Sequence, residues 1–160
     1  MAQDSRRGFK FKIIKEMKMN LNVMLLTDTA KVPTYAIEGS ACFDIYADSD
    51  GAVSRNAPLI VSTGLAFEIP EGYCVEIYSR SGQGFNNDVR LSNCVGQIDA
   101  GYLGEIKVKL AIDNGGIYRV EKGDRIAQGK LVPVLTAEFT VVESLKQTAR
   151  GSGGFGSTGA

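Results

Sequence analysis

Asp99 lies in the run Gly96-Gln97-Ile98-Asp99-Ala100-Gly101-Tyr102-Leu103-Gly104-Glu105. A carboxylate flanked by glycines and followed by a tyrosine can orient a water molecule beside a flat ring that packs on a ligand. A surface hairpin with an Asp turn residue and a partly buried Tyr has the same composition. In Ser79-Arg80-Ser81-Gly82 a planar fork of guanidinium donors stands beside hydroxyls and accessible backbone N–H groups, the partners a phosphate accepts. Alone, it reads equally as a turn with an exposed arginine. Gly123-Asp124-Arg125-Ile126-Ala127-Gln128 adds a guanidinium and an amide, and reads also as a β-turn with a local Asp124–Arg125 pair leading into a strand. Residues 146–160 are glycine-rich yet carry Arg150, Phe155, Gly156, Ser157 and Thr158. Such a segment is an ordinary flexible end, or a cation, an aromatic ring and two hydroxyls on a backbone that can approach phosphates closely.

The composition contains no histidine. Ser-His-Asp triads, Cys-His pairs, histidine zinc sites and the commonest general base are therefore excluded. Hydrolysis in this chain must use a carboxylate, a metal held by oxygens, or both. Cys42, Cys74 and Cys94 are odd in number and form no close pair, which reads as reduced, near-core thiols in a cytoplasmic-type compartment. Formal charge is zero, so no global field draws the chain to nucleic acid or an anionic membrane. No apolar run approaches the roughly 20 residues of a membrane span.

The elements that must position these residues read as strands. Leu65, Phe67 and Ile69 alternate, Pro70-Glu71-Gly72 supplies a turn, and Tyr73, Val75 and Ile77 resume the alternation. Ile106, Val108, Leu110 and Ile112 alternate with Lys107 and Lys109. Further β-rich runs fall at 11–14, 22–26, 59–61, 126–134 and 139–142, and Pro133 predicts an edge position or a bulge. Helical periodicity is absent. Short strands with frequent turns predict an all-β sandwich or barrel. The chain divides into a charged N-terminal extension (1–18), a β domain (19–145) and a glycine-rich tail (146–160).

Taken in order, five runs resemble the segments of homotrimeric dUTP pyrophosphatases. They are Gly39-Ser40-Ala41-Cys42-Phe43-Asp44-Ile45-Tyr46-Ala47, Arg80-Ser81-Gly82, Gly96 to Glu105, Gly123 to Gln128, and Arg150 to Gly159. The run 20–27 resembles that family's opening strand, so the resemblance covers about residues 19 to 160. It implies a jelly-roll-like β-barrel or sandwich with a flexible C-terminal tail. It also implies hydrolysis of dUTP to dUMP and pyrophosphate, which limits uracil entry into DNA and supplies dUMP for thymidylate synthesis. Cys42 stands where the family usually has glycine, and Ser79 where it often has proline.

The same resemblance assigns roles. Asp99 would activate the water that attacks the α-phosphorus and touch the sugar 3′-hydroxyl. Tyr102 would pack beneath the sugar and exclude a 2′-hydroxyl. Asn93 and the main chain of Gly96 to Ile98 would read uracil. Arg80, Ser81, Gly82 and Gln128 would face phosphates, with Asp44 in a metal- and phosphate-side network through water. Arg150 would reach the γ-phosphate, Phe155 would cover the base, and Gly156, Ser157 and Thr158 would complete the cradle. Mg²⁺ would arrive mainly on the triphosphate, and a homotrimer would share its sites between chains. Such chemistry needs positioning, charge neutralisation and an oriented water, none of which requires histidine. Rival readings are a dCTP deaminase, a nucleotide-switched regulatory module that uses the basic extension for a protein partner, and a plain interaction sandwich.

Overall fold

The computed structural model describes residues 18–157. Thr158 and the strand expected at 11–14 lie outside them, as does nearly all of the extension. Within the described chain are eleven strands and one short helix. The strands are β1 (Asn22–Leu25), β2 (Phe43–Tyr46), β3 (Gly51–Ser54), β4 (Leu59–Ser62), β5 (Leu65–Glu68) and β6 (Tyr73–Tyr78). After helix α1 (Ser81–Asn87) come β7 (Val89–Leu91), β8 (Gly96–Asp99), β9 (Lys107–Ile112), β10 (Ile117–Val120) and β11 (Arg125–Pro133).

The alternation read from the sequence is clearest on β9, whereas β2 and β5 bury three consecutive residues each. On β9, Val108, Leu110 and Ile112 are buried while Lys107 and Lys109 are exposed. The core joins these to Phe67, Ile45, Leu65 and Ile126. Each such side chain contributes about 1.5–3 kcal/mol on leaving water. A four-stranded antiparallel sheet has the order β2-β11-β6-β8, and a three-stranded one the order β4-β9-β7. The pairs β1-β5 and β10-β3 complete an all-β, jelly-roll-like architecture whose neighbours are seldom consecutive in sequence. Pro133 ends β11 opposite Tyr73, beyond the stretch that pairs with β2, so its missing N–H costs no ladder bond on that side.

Three local expectations are revised. The Asp99 run is not a hairpin: β8 pairs with β6, β9 pairs with β4 and β7, and residues 100–106 carry the chain from one sheet to the other. Arg80-Ser81-Gly82 opens α1 rather than a simple turn, and a seven-residue helix is too short to show an apolar period. The run 139–142 forms no strand. Residues 134–148 form no strand or helix, and Leu135, Phe139, Val141 and Leu145 are almost wholly exposed. Of the cysteines, all free, Cys74 is buried, Cys42 half-buried and Cys94 exposed, so only the first two fit the near-core expectation.

Candidate active site

Asp44 on β2 is 3% exposed, although it is a carboxylate. Burial of such a charge requires partners. Arg125 Nη1 donates to Asp44 Oδ2 at 3.1 Å, Gln128 Nε2 lies 3.4 Å from Oδ1, and Arg80 Nε lies 3.7 Å from Oδ1. Gln128 stands directly opposite Asp44 in the ladder. Arg125 reaches the same face because of a bulge: the register shifts between Arg125 and Ala127, so Ile126 and Ala127 are both buried. Without that extra residue, Arg125 would point with Ala127 into the core. Its ion-pair partner is thus Asp44 across the sheet, and the bulge is invisible to the turn reading of residues 123–128.

Arg80 follows β6 and caps α1. Its Nη1 donates to the Arg125 carbonyl at 2.9 Å. Its Nε is buried without a hydrogen bond, which leaves the guanidinium short of an acceptor. Ser81 and Gly82, next in the chain, are exposed. Ser79 fills its unusual position usefully, since its Oγ accepts the Leu91 N–H at 2.9 Å and ties β7 to the end of β6.

Asp99 terminates β8, the edge of the four-stranded sheet, and is exposed. The outer edge of β8 therefore offers backbone N–H and C=O groups from Gly96 to Ile98 without a strand partner. Asn93 lies over this strand: a Cβ built on Gly96 would stand 3.4 Å from Asn93 Nδ2 and 3.3 Å from Ile77 Cβ. Beside Asp99 is a cleft of about 450 Å³ lined by Gln97, Ile98, Asp99, Tyr102, Glu105, Ile106 and Lys107. The Tyr102 N–H donates to the Asp99 carbonyl at 3.0 Å, and the Tyr102 hydroxyl to the Glu105 carbonyl at 2.9 Å. That folds the ring over Gly104, where a Cβ would meet the Tyr102 hydroxyl at 2.7 Å and Cζ at 2.8 Å.

The crossing segment is pinned from below. Thr63 Oγ1, buried, donates to the Ile106 carbonyl at 2.6 Å, and the Gly64 N–H donates to Glu105 Oε1 at 3.1 Å. Gly64 has φ +64°, and a Cβ there would come within 2.7 Å of Ala30 Cβ. Thr63 and Glu105 are supporting residues that sequence reasoning did not single out, because nothing in their types announces a contact made through tertiary structure. Cys74 stands opposite Asp99 in the ladder, and its thiol is pushed up by burial and by the negative charges of Glu76 and Asp99. Tyr78 is likewise pushed up, chiefly by its hydrogen bond to the Glu76 carboxylate.

Within one chain these groups form separate clusters. On β6, Cys74 faces Asp99 and Tyr78 faces Gln128, an offset along the strand of about 13 Å. The hydrogen bonds of the tail are local, including Arg150 Nε to the Gly153 carbonyl at 2.9 Å and the Ser157 N–H to the Gly154 carbonyl at 3.1 Å. Phe155 is fully exposed, with φ +51°. Arg80, Gln128, Asp44 and Arg125 are thus brought together, as are Asn93, Gly96, Ile98, Asp99 and Tyr102, while Arg150, Phe155, Gly156 and Ser157 stand apart from both. Among the described residues, no three acidic or cysteine side chains gather as a metal cage, and the carboxylate of Asp44 is already engaged by two guanidiniums. These residues suit a cation that keeps its own phosphate oxygens and meets Asp44 through water, rather than one held by the protein alone.

Comparisons with known proteins identify the family and the fold. A family model described as dUTPase matches residues 28–159. A deoxyuridine 5′-triphosphate nucleotidohydrolase of Nautilia profundicola is 41% identical over 141 residues, 88% of this chain and 99% of that relative. The fold is similar to a Staphylococcus bacteriophage 80alpha dUTPase mutant solved with dUpNHpp (TM-score 0.82, 29% identity, 89% of this chain and 100% of that chain). It is similar also to the 80alpha dUTPase described among phage dUTPases that control transfer of virulence genes by a G protein-like mechanism (TM-score 0.80, 30% identity, 89% and 100% covered).

Proposed function

The chain belongs to the dUTPase family, and from that premise we propose that it hydrolyses dUTP to dUMP and pyrophosphate at a site assembled from several copies of the chain. The observation that carries this reading is an exposed carboxylate, Asp99, ending an edge strand beside a cleft floored by Tyr102. Asp99 orients a water for attack on the α-phosphorus and accepts its proton as the bond forms. Unpaired backbone groups of β8, with Asn93, pair with the uracil edge. A cytosine would leave such groups unmatched, which costs discrimination of up to roughly 10⁴–10⁵. The thymine methyl overfills the same space, at about 1–3 kcal/mol. The Tyr102 ring, held over Gly104, leaves no room for a 2′-hydroxyl.

Arg80, Ser81, Gly82 and Gln128 bind the phosphates, and the exposure of Ser81 and Gly82 at the start of α1, next to Arg80, supports that role. Mg²⁺ carried by the triphosphate would neutralise its charge, with Asp44 reaching it through water. Because the Asp99 water and the phosphate ligands must meet at one triphosphate, the offset of about 13 Å within a chain points to a neighbour supplying one half. The bare apolar arm at 134–145 favours the same conclusion, since Leu135, Phe139 and Val141 need cover. A homotrimer with shared sites meets both needs. The tail of one copy, with Arg150 on the γ-phosphate and Phe155 on the base, closes over the site. Stacking there adds about 1–3 kcal/mol, and Gly156, Ser157 and Thr158 complete the cradle.

The dUMP formed would feed thymidylate synthesis while the pool of dUTP open to DNA synthesis falls. Free thiols fit a reducing cytoplasm, and among the described residues no helix is long and apolar enough to cross a membrane. Incubation with dUTP, dTTP, dCTP and UTP plus Mg²⁺, followed by pyrophosphate, tests the reading. Release from dUTP alone is expected. Equal hydrolysis of all four, or ammonia from dCTP, would contradict it. The likeness to the 80alpha enzyme carries a second reading, a nucleotide-dependent protein switch built on the same site. That reading requires a partner whose affinity changes on addition of a non-hydrolysable dUTP analogue.

A further inference from the structure

Among the described residues, three buried side chains are polar or charged: Asp44, Thr63 and Gln83. Asp44 belongs to the phosphate side and Thr63 supports the Tyr102 segment. Gln83 has no part in the function argued so far. It sits in the first turn of α1, 6% exposed, facing inward while its neighbours Ser81 and Gly82 face solvent. A leucine or methionine would fill that volume with no amide to satisfy, so the partners of the amide are informative. Gln83 Nε2 donates to the Arg125 carbonyl at 3.0 Å and to the Tyr118 hydroxyl at 3.2 Å. The same carbonyl accepts Arg80 Nη1 at 2.9 Å. A carbonyl oxygen has two lone pairs, and here both are used by the start of one helix.

We propose that Gln83 is a positioning residue for triphosphate binding: it clamps α1 to the bulged end of β11 so that the Arg80 guanidinium is held in one orientation. The clamp works at the bulge. Arg125 is tied through its side chain to Asp44 and through its carbonyl to α1, so its backbone is fixed from both directions. With that carbonyl fixed, the Nη1 of Arg80 is committed to it, Nε faces the Asp44 side, and the remaining N–H groups stay available to phosphate oxygens. Without the Gln83 amide, the first turn of α1 keeps only the Arg80 bond to β11. Arg80 then loses the preorganisation that makes a guanidinium effective against phosphate. The inference rests on the reading of Arg80 as a phosphate ligand.

The test uses Gln83→Met, which keeps the volume and removes both donors. Affinity for a non-hydrolysable dUTP analogue with Mg²⁺ should fall roughly three- to tenfold, the worth of about one hydrogen bond. Binding of deoxyuridine, which carries no phosphate, should not change. In an Arg80→Lys background, Gln83→Met should have no further effect, because both substitutions act through the same group. A purely structural role would lower the melting temperature and leave this pattern absent. Unchanged analogue affinity in folded Gln83→Met, an equal loss for deoxyuridine, or full additivity with Arg80→Lys would overturn the proposal. Should Gln83→Met fail to fold, Tyr118→Phe removes the second partner of the amide at a half-buried position. It should weaken the analogue and spare deoxyuridine, and equal affinity for both relative to the unaltered protein would overturn the proposal. Failure of the underlying reading is separately visible, because Arg80→Lys alone would then leave analogue affinity unchanged.

Discussion

At the scale of single residues, the proposed chemistry depends on what holds Asp99 and Tyr102 as well as on their types. Asp99 is fixed by the last ladder position of β8, opposite Cys74, and stays open to solvent on its cleft side. Asp99→Asn keeps size and hydrogen bonding but removes the proton acceptor. Binding of a dUTP analogue should be preserved while pyrophosphate release falls by roughly 10²–10⁴. Tyr102 depends on Gly104, because its ring occupies the space a Cβ would need. Gly104→Ala should push the ring off its seat and relax sugar choice. The ratio of dUTP to UTP turnover, measured side by side, should fall at least tenfold, and an unchanged ratio would remove Tyr102 from sugar selection.

At the scale of elements, β5, β6 and β9 were written in the alternation of apolar residues, so 65–69, 73–77 and 106–112 needed no tertiary knowledge. What escaped reading was set by partners distant in sequence. The β11 bulge that turns Arg125 toward Asp44 leaves no local signal. β8 pairs with β6, not β9, and Thr63, Gly64 and Glu105 hold the crossing segment between them through contacts far apart in sequence. The run 139–142 has the composition of a strand but no partner strand among the described residues. The candidate site residues were named from their motifs, whereas Gln83 and Thr63 acquire meaning only through contacts.

One tether also has a pH signature. The Thr27 hydroxyl, at 2.5 Å, holds Asp48 below its ordinary value of 3.8; Thr29 and Lys122 add to this, and burial opposes it. A depressed carboxylate contributes stability above its unfolded value and loses it as pH falls through the lower folded one. Asp48→Asn should therefore flatten the decline in melting temperature below about pH 4. A decline as steep as that of the unaltered chain would refute the tether. The tail belongs to this scale as well: truncation after Gln147 should leave the melting temperature and the number of chains per oligomer, read by native mass, unchanged with severely reduced turnover, and full turnover would dismiss the lid.

At the scale of the whole molecule, the proposed site needs groups that one chain holds apart. Asp99 and its cleft lie at one end of β6, and the Asp44, Arg80 and Gln128 cluster lies at the other. The tail touches neither through its hydrogen bonds, and a bare apolar arm joins it to the sheet. Association of identical chains removes all three difficulties together, and a closed ring of copies does so without leaving a free arm. The most direct measurement is subunit complementation. Asp99→Asn chains and chains truncated after Gln147 are prepared separately, then refolded together, with mixed oligomers verified by native mass. Neither preparation alone should release appreciable pyrophosphate from dUTP, and the mixture should regain activity, because some sites then combine an intact Asp99 from one copy with an intact tail from another. Mixed oligomers as inactive as their parents would contradict a site shared between copies.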